Sequence, residues 1–351
     1  MDKPIFPAFL SCQGQSLSDN EKRLFAKYNP LGVCLFACGC NNIKDREQLK
    51  YLTTEIKEVI GRDNVLIAVD QEGGRVRRLT EPEFTPLTAQ AELKSAELAQ
   101  QHAYLAAADL KTSGVNVNFA PVLDIEYEFT SAVLHGRCFA GDEHKVAELG
   151  RLTVDEYIQN GVCPCVKHLP GHGRGLVDPH LELPIINADL QTLSSDFYPF
   201  KRLKDAPMGM VAHIVLTAID KENPATLSAK VIRNVIRTEI GFTGLLVSDA
   251  IVMKALKGTI CERAERAFNA GCEVICLGNA DFSANAELCS AAIHLKDESY
   301  ERLHKISEIV QQRIDLSKYE HIKNKYCEKL KNIITYKTEY DATEILSRLR
   351  K

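Results

Sequence analysis

Along the chain, short apolar runs alternate with longer stretches in which apolar residues recur at helical spacing. The runs occupy residues 7–10, 32–36, 65–69, 115–119, 162–166, 209–212, 245–247 and 274–277, and the helical period is clearest over residues 43–60, 89–113, 143–160 and 229–240. Runs this short and uniformly apolar are strands buried on both faces, and their alternation with helices predicts a parallel sheet. Eight such units predict a closed α/β structure, the TIM (β/α)8 barrel, with a doubly wound open sheet as the alternative. From about residue 290 the sequence becomes charged and helical, so the expected organisation is one barrel domain over residues 1–335 followed by an exposed, charged helical tail at 336–351.

Barrel active sites are built at the carboxyl ends of strands, and polar residues gather at those positions here. Asp70 follows LIAV, Asp124 closes NFAPVL, Lys167 and His168 follow CPCV, His213 follows GMVA and Asp249 follows LLVS. An open sheet also places ligands at strand ends, so this pattern argues for a parallel α/β enzyme, while the number of strands argues for closure.

Composition narrows the setting. The 351 residues include 43 basic and 47 acidic side chains, a net charge of −4, which disfavours a polyanionic partner such as nucleic acid. The first residues lack the pattern of an export signal, and no apolar run approaches a membrane span, so a soluble cytoplasmic protein is expected. Its 12 cysteines are then expected to be free thiols. The C-x-C spacings at Cys38 and Cys40 and at Cys163 and Cys165 do not match the usual zinc pairs, and no metal or other cofactor is expected.

The densest chemistry lies in residues 167–180, KHLPGHGRGLVDPH. Asp178 and His180, two apart in an irregular loop, suit a dyad in which the carboxylate fixes the imidazole tautomer and raises its basicity, giving a general acid/base. Equally, Asp178 is a turn former ahead of Pro179 and His180 a surface histidine. Asp249 suits a nucleophile or the N-cap of a following helix. His168, His172 and His180 are also candidates for metal ligation.

A series of motifs, in order, carries a resemblance: LGVCLF, IAVDQEGGRVRRL, NVNFAPVLDI, GRCFAGD, VKHLPGHG, DPH, MVAHI, NPATLS, GFTGLLVSDAIVM and NAGCEVICLGN. The chain resembles the small single-domain β-N-acetylhexosaminidases of glycoside hydrolase family 3, the NagZ-type enzymes of peptidoglycan recycling. The resemblance implies a retaining exo-β-N-acetylglucosaminidase acting on N-acetylglucosamine-containing anhydro-muropeptides. It implies that Asp249 is the nucleophile and that His180, supported by Asp178, is the acid/base. Asp70, Arg78, Arg137, Lys167 and His168 are implied to hold the sugar, with Arg75 and His172 in supporting positions.

Two departures accompany the match. The dyad loop reads D-P-H where D-S-H is common, and Pro179 restricts its own φ and the conformation of Asp178. The nucleophile element reads SDAI where SDDL is usual, which removes a polar neighbour of Asp249. A histidine acid/base also tolerates phosphate as acceptor, so a phosphorylase is an alternative function, and a catalytically weak sugar-binding homologue is another. The expected partner is a small carbohydrate; the oligomeric state is not legible.

Overall fold

In the structure, a computed structural model, residues 4–331 are described. Ten strands occur in chain order: β1 (Phe6–Leu10), β2 (Pro30–Cys34), β3 (Leu66–Val69), β4 (Val117–Asn118), β5 (Cys163–Leu169), β6 (Ile185–Ile186), β7 (Met208–Val211), β8 (Val215–Leu216), β9 (Leu245–Ser248) and β10 (Ile275–Cys276). Eight form one parallel sheet in the order β10-β1-β2-β3-β4-β5-β7-β9, while β6 and β8 make a separate two-stranded ribbon. A parallel bridge from Val247 to Val274 joins the two ends of the large sheet, as does the bond from Ser248 N–H to the Val274 carbonyl at 3.0 Å. The sheet is therefore a closed TIM-type barrel, as the eight apolar runs predict.

Strand alternation divides the apolar residues into two populations. Phe9, Cys34, Phe119, Cys165, Met210 and Val247 belong to the cluster inside the barrel. Leu10, Val33, Val69, Val166 and Val211 face outward into the larger cluster beneath the helices. The helices are α1 (Asp19–Tyr28), α2 (Arg46–Ile60), α3 (Ala96–Thr112), α4 (Glu143–Gln159), α5 (Leu190–Arg202), α6 (Ile260–Ala270), α7 (Phe282–Leu288), α8 (Asp297–Gln311) and α9 (Tyr319–Lys329), with a π-type helical segment at Val231–Glu239. Ser18 with Glu21, and Thr259 with Glu262, form capping boxes that fix where α1 and α6 begin. Among the described residues no helix is long and apolar enough to cross a membrane.

The structure adds detail to the sequence-based expectation in two places. Strand β5 continues beyond the apolar run, so Lys167 and His168 are the fifth and sixth of its seven residues, at its carboxyl end, joined by a cis peptide. Helices α8 and α9, within the span expected to be barrel, reach it through single side chains. Ile306 of α8 belongs to the cluster inside the barrel, and Tyr326 of α9 is fully buried. The Tyr326 hydroxyl accepts the Thr88 N–H at 3.0 Å and lies 2.8 Å from His102 Nδ1. The expected boundary at residue 335 and the tail at 336–351 lie outside the described residues.

Candidate active site

One pocket at the carboxyl ends of the strands is lined by Asp70, Arg78, Arg137, Lys167, His168, His180 and Asp249. Of the residues expected to act, Asp178 alone does not line it, and it supports His180 from behind.

Asp70 directly follows β3, and the next turn carries the chain back on itself. Gly73, at φ 104°, has the Thr88 carbonyl oxygen only 2.0 Å from where a Cβ would stand, so no other residue fits there. The Gln71 side chain braces the return: its Oε1 accepts the N–H groups of Arg78 at 2.8 Å and Leu79 at 3.0 Å. Arg78 Nη2 thereby reaches Asp70 Oδ2 at 3.3 Å, and Lys167 Nζ reaches Asp70 Oδ1 at 2.9 Å.

Glu72 was quoted in the sequence motif without a role, and the structure places it at the centre of this network. Arg137 grips it through two parallel bonds, Nε to Oε2 and Nη2 to Oε1, both 2.8 Å, and Lys167 Nζ stands 2.6 Å from Oε1. Burial alone would raise the Glu72 carboxyl, but Arg137 and Lys167 together hold it well below the usual carboxylate range. Burial opposes the charge on Lys167, yet Asp70 and Glu72 raise its pKa. Three cations and two carboxylates thus form a fixed charged floor. The only sequence signal for Glu72 was its position two residues after Asp70, across a turn whose path alternation does not reveal.

His168 is oriented by Asp124, whose Oδ2 lies 2.6 Å from Nδ1, leaving Nε2 as the nitrogen available to a ligand. Asp124 Oδ1 also accepts the His172 N–H at 2.7 Å. Despite the burial of Asp124, His168 and then His172 keep its carboxyl low. His172 itself lines the pocket, as does Arg75, so neither is remote from the site. Both His172 ring nitrogens are buried without a hydrogen-bond partner, and burial pushes its pKa down to about 4.

Asp178 and His180 form the expected dyad, with His180 Nδ1 2.7 Å from Asp178 Oδ1. The turn-former reading of Asp178 also holds, since its carbonyl accepts the N–H groups of Leu181 and Glu182, both at 2.9 Å. Asp249 follows β9 and is not a helix cap: α6 begins only at Ile260, behind Thr259. Its Oδ1 accepts the Ala250 N–H at 2.7 Å. Burial would raise the Asp249 carboxyl, but His213, His168, this hydrogen bond and His180 hold it below its ordinary value. An ionised carboxylate therefore faces a carboxylate-supported imidazole across one pocket. Among the described residues no group of three or more histidine, cysteine or acidic side chains is arranged to hold a metal ion.

The model of the glycosyl hydrolase family 3 N-terminal domain matches residues 9–312. The chain belongs to that family. This family 3 glycoside hydrolase is 35% identical over 290 residues to a β-hexosaminidase of Bordetella avium, covering 79% of this chain and 81% of that one. It is likewise 35% identical over 297 residues to a β-hexosaminidase of Nitrosomonas eutropha, covering 81% and 84%. Its fold superposes on NagZ from Neisseria gonorrhoeae in complex with N-trifluoroacetyl-D-glucosamine with a TM-score of 0.82, at 29% identity and covering 93% of this chain and 98% of that one.

Proposed function

We propose that this hydrolase is a retaining exo-β-N-acetylglucosaminidase that removes N-acetylglucosamine from peptidoglycan-derived anhydro-muropeptides. The observation that carries the reading is the pairing, in one pocket, of the Asp178–His180 dyad with the ionised Asp249. The β-hexosaminidase relatives and the NagZ complex with an N-acylated glucosamine support the sugar assignment. A cytoplasmic setting belongs to the same reading and is supported by twelve free cysteines.

In the first step an Asp249 oxygen bonds to the anomeric carbon as the glycosidic C–O bond breaks, and His180 Nε2 gives its proton to the leaving oxygen. In the second, Nε2 takes a proton from water, whose oxygen attacks the same carbon and displaces Asp249. Two inversions give net retention. Asp70 accepts from sugar hydroxyls, while Arg78, Arg137, Lys167 and His168 complete the grip through direct donation or by fixing the carboxylates. An imidazole in place of the usual second carboxyl adds no anion that would repel a muramic acid substrate.

The test is proton NMR of the products from the N-acetylglucosamine–anhydro-muramic acid disaccharide, with and without phosphate. Initial release of the β-anomer of N-acetylglucosamine supports the proposal. The α-anomer first, a sugar 1-phosphate, or no turnover would replace it respectively with inversion, phosphorolysis or a sugar-binding homologue.

A further inference from the structure

The proposed acid/base and nucleophile stand on loops from different strands, and a backbone hydrogen bond joins those loops. Ala255 N–H donates to the Pro179 carbonyl at 3.2 Å. That carbonyl belongs to the peptide unit whose nitrogen is His180 N, and His180 N–H donates to Asp178 Oδ1 at 2.9 Å. The peptide unit entering His180 is therefore held on both sides, by Asp178 through its N–H and by residues 250–256 through its carbonyl.

What holds residues 250–256 is an arginine on a rigid helix. Arg263, in the first turns of α6, directs Nη1 to the Ile251 carbonyl at 2.8 Å and the Met253 carbonyl at 3.3 Å. The Met253 carbonyl also accepts Leu256 N–H at 3.3 Å, closing the turn that presents Ala255. On the other side, Ile251 N–H is anchored to the Cys276 carbonyl of β10 at 3.0 Å. Glu287, the acidic neighbour of Arg263, instead accepts Ile260 N–H at 2.8 Å. Nη1 is thus the guanidinium atom given to the two carbonyls, while Nε is buried without a hydrogen-bond partner and Glu287 acts on the charge only at longer range. A partly buried arginine used on neutral backbone groups pins a chain path, whereas an ion pair would add only local charge balance.

We propose that Arg263 is a positioning residue for the acid/base: through residues 250–256 and the Ala255–Pro179 hydrogen bond it aims His180 into the pocket beside Asp249. The proposal rests on the reading of His180 as proton donor. Its consequence is selective. A misaimed His180 fails glycosides whose leaving group must be protonated, but matters little for an acidic phenol that departs unaided.

The experiment compares full-length wild-type protein with R263M, R263K and H180A on β-N-acetylglucosaminides of 2,4-dinitrophenol and of a sugar alcohol. R263M is expected to lose about 10- to 100-fold in kcat/KM on the sugar substrate, the scale set by small misplacements of a catalytic group, with little change on the dinitrophenyl one. R263K, which retains a donor, recovers part of the loss. An equal loss on both substrates, or none, overturns the positioning role. If H180A itself shows no leaving-group dependence, the acid/base reading fails; if H180A shows it and R263M does not, only the role of Arg263 fails. Hydrogen exchange on the wild-type protein gives a check independent of how the variants fold: the Ala255 amide must be protected, and rapid exchange there overturns the proposal.

Discussion

His180 donates twice to the same carboxylate oxygen of Asp178, from ring Nδ1 at 2.7 Å and from its own backbone N–H at 2.9 Å. Pro179 between them does not separate the pair: with φ fixed by its ring, the chain folds back so that both donors meet Oδ1. Since a carboxylate only accepts, Nδ1 carries a proton and Nε2 is left for proton transfer.

D178N keeps an acceptor but removes the charge, leaving the imidazolium without its neighbouring anion. The expected result is a fall of about 100-fold in kcat on sugar leaving groups, within the range contributed by general acid catalysis. Steady-state kinetics on sugar and dinitrophenyl glycosides checks this, and an unchanged kcat on the sugar substrate would separate Asp178 from the chemistry.

Glu72 is almost wholly buried between Arg137 and Lys167. E72Q leaves those cations without their common anion, and removing one partner of a buried ion pair costs about 3–5 kcal/mol. Denaturant titration should show this loss, and KM should rise as the floor that orients Lys167 and Asp70 relaxes.

Helix α9 reaches the same floor. His102 Nε2 lies 2.9 Å from the Glu72 carbonyl, so Nε2 carries the proton and Nδ1 accepts from the Tyr326 hydroxyl. Y326F preserves the ring but strands Thr88 N–H and His102 Nδ1, at about 1–3 kcal/mol for each unsatisfied buried group. A denaturation midpoint equal to the wild type would contradict the wiring of α9 to the site.

Acid stability follows from the buried histidines. Burial pushes both His102 and His172 down to about 4 from an ordinary 6.5. Between these values the unfolded chain binds protons that the folded one refuses, so stability present above pH 6.5 is lost as pH falls toward 4. The slope is about 1.4 kcal/mol per pH unit for each histidine. Below that window Asp70, Glu72, Asp124 and Asp249, all held low in the fold, add to the loss. Tm measured at constant ionic strength should therefore decline from pH 6.5 to 4.5; a flat profile would contradict the burial of neutral imidazoles.

The barrel was legible because each of its strands is a short apolar run, and the site because the ends of those runs carry Asp70, Lys167, His168 and Asp249. Glu72 and Asp124 were present in recognised motifs, but their partners lie on other loops: Arg137 is 65 residues from Glu72, and His168 is 44 from Asp124. No periodicity reports such pairings. The docking of α9 is hidden for a similar reason, since charged residues dominate its sequence and its hold on the barrel comes through single residues such as Tyr326. The sequence carries no signal for Arg263, because a hydrogen bond to a distant carbonyl leaves no mark on the donor's neighbours.

The most direct test of the account is to trap the covalent intermediate. A 5-fluoro N-acetylglucosaminyl fluoride, whose leaving group needs no proton and whose ring fluorine slows hydrolysis of the adduct, is incubated with the protein and followed by intact-mass and peptide mass spectrometry. One sugar per chain is expected, attached to Asp249 and absent from D249A. Attachment to another residue, or turnover of the reagent with inverted products and no adduct, would contradict it.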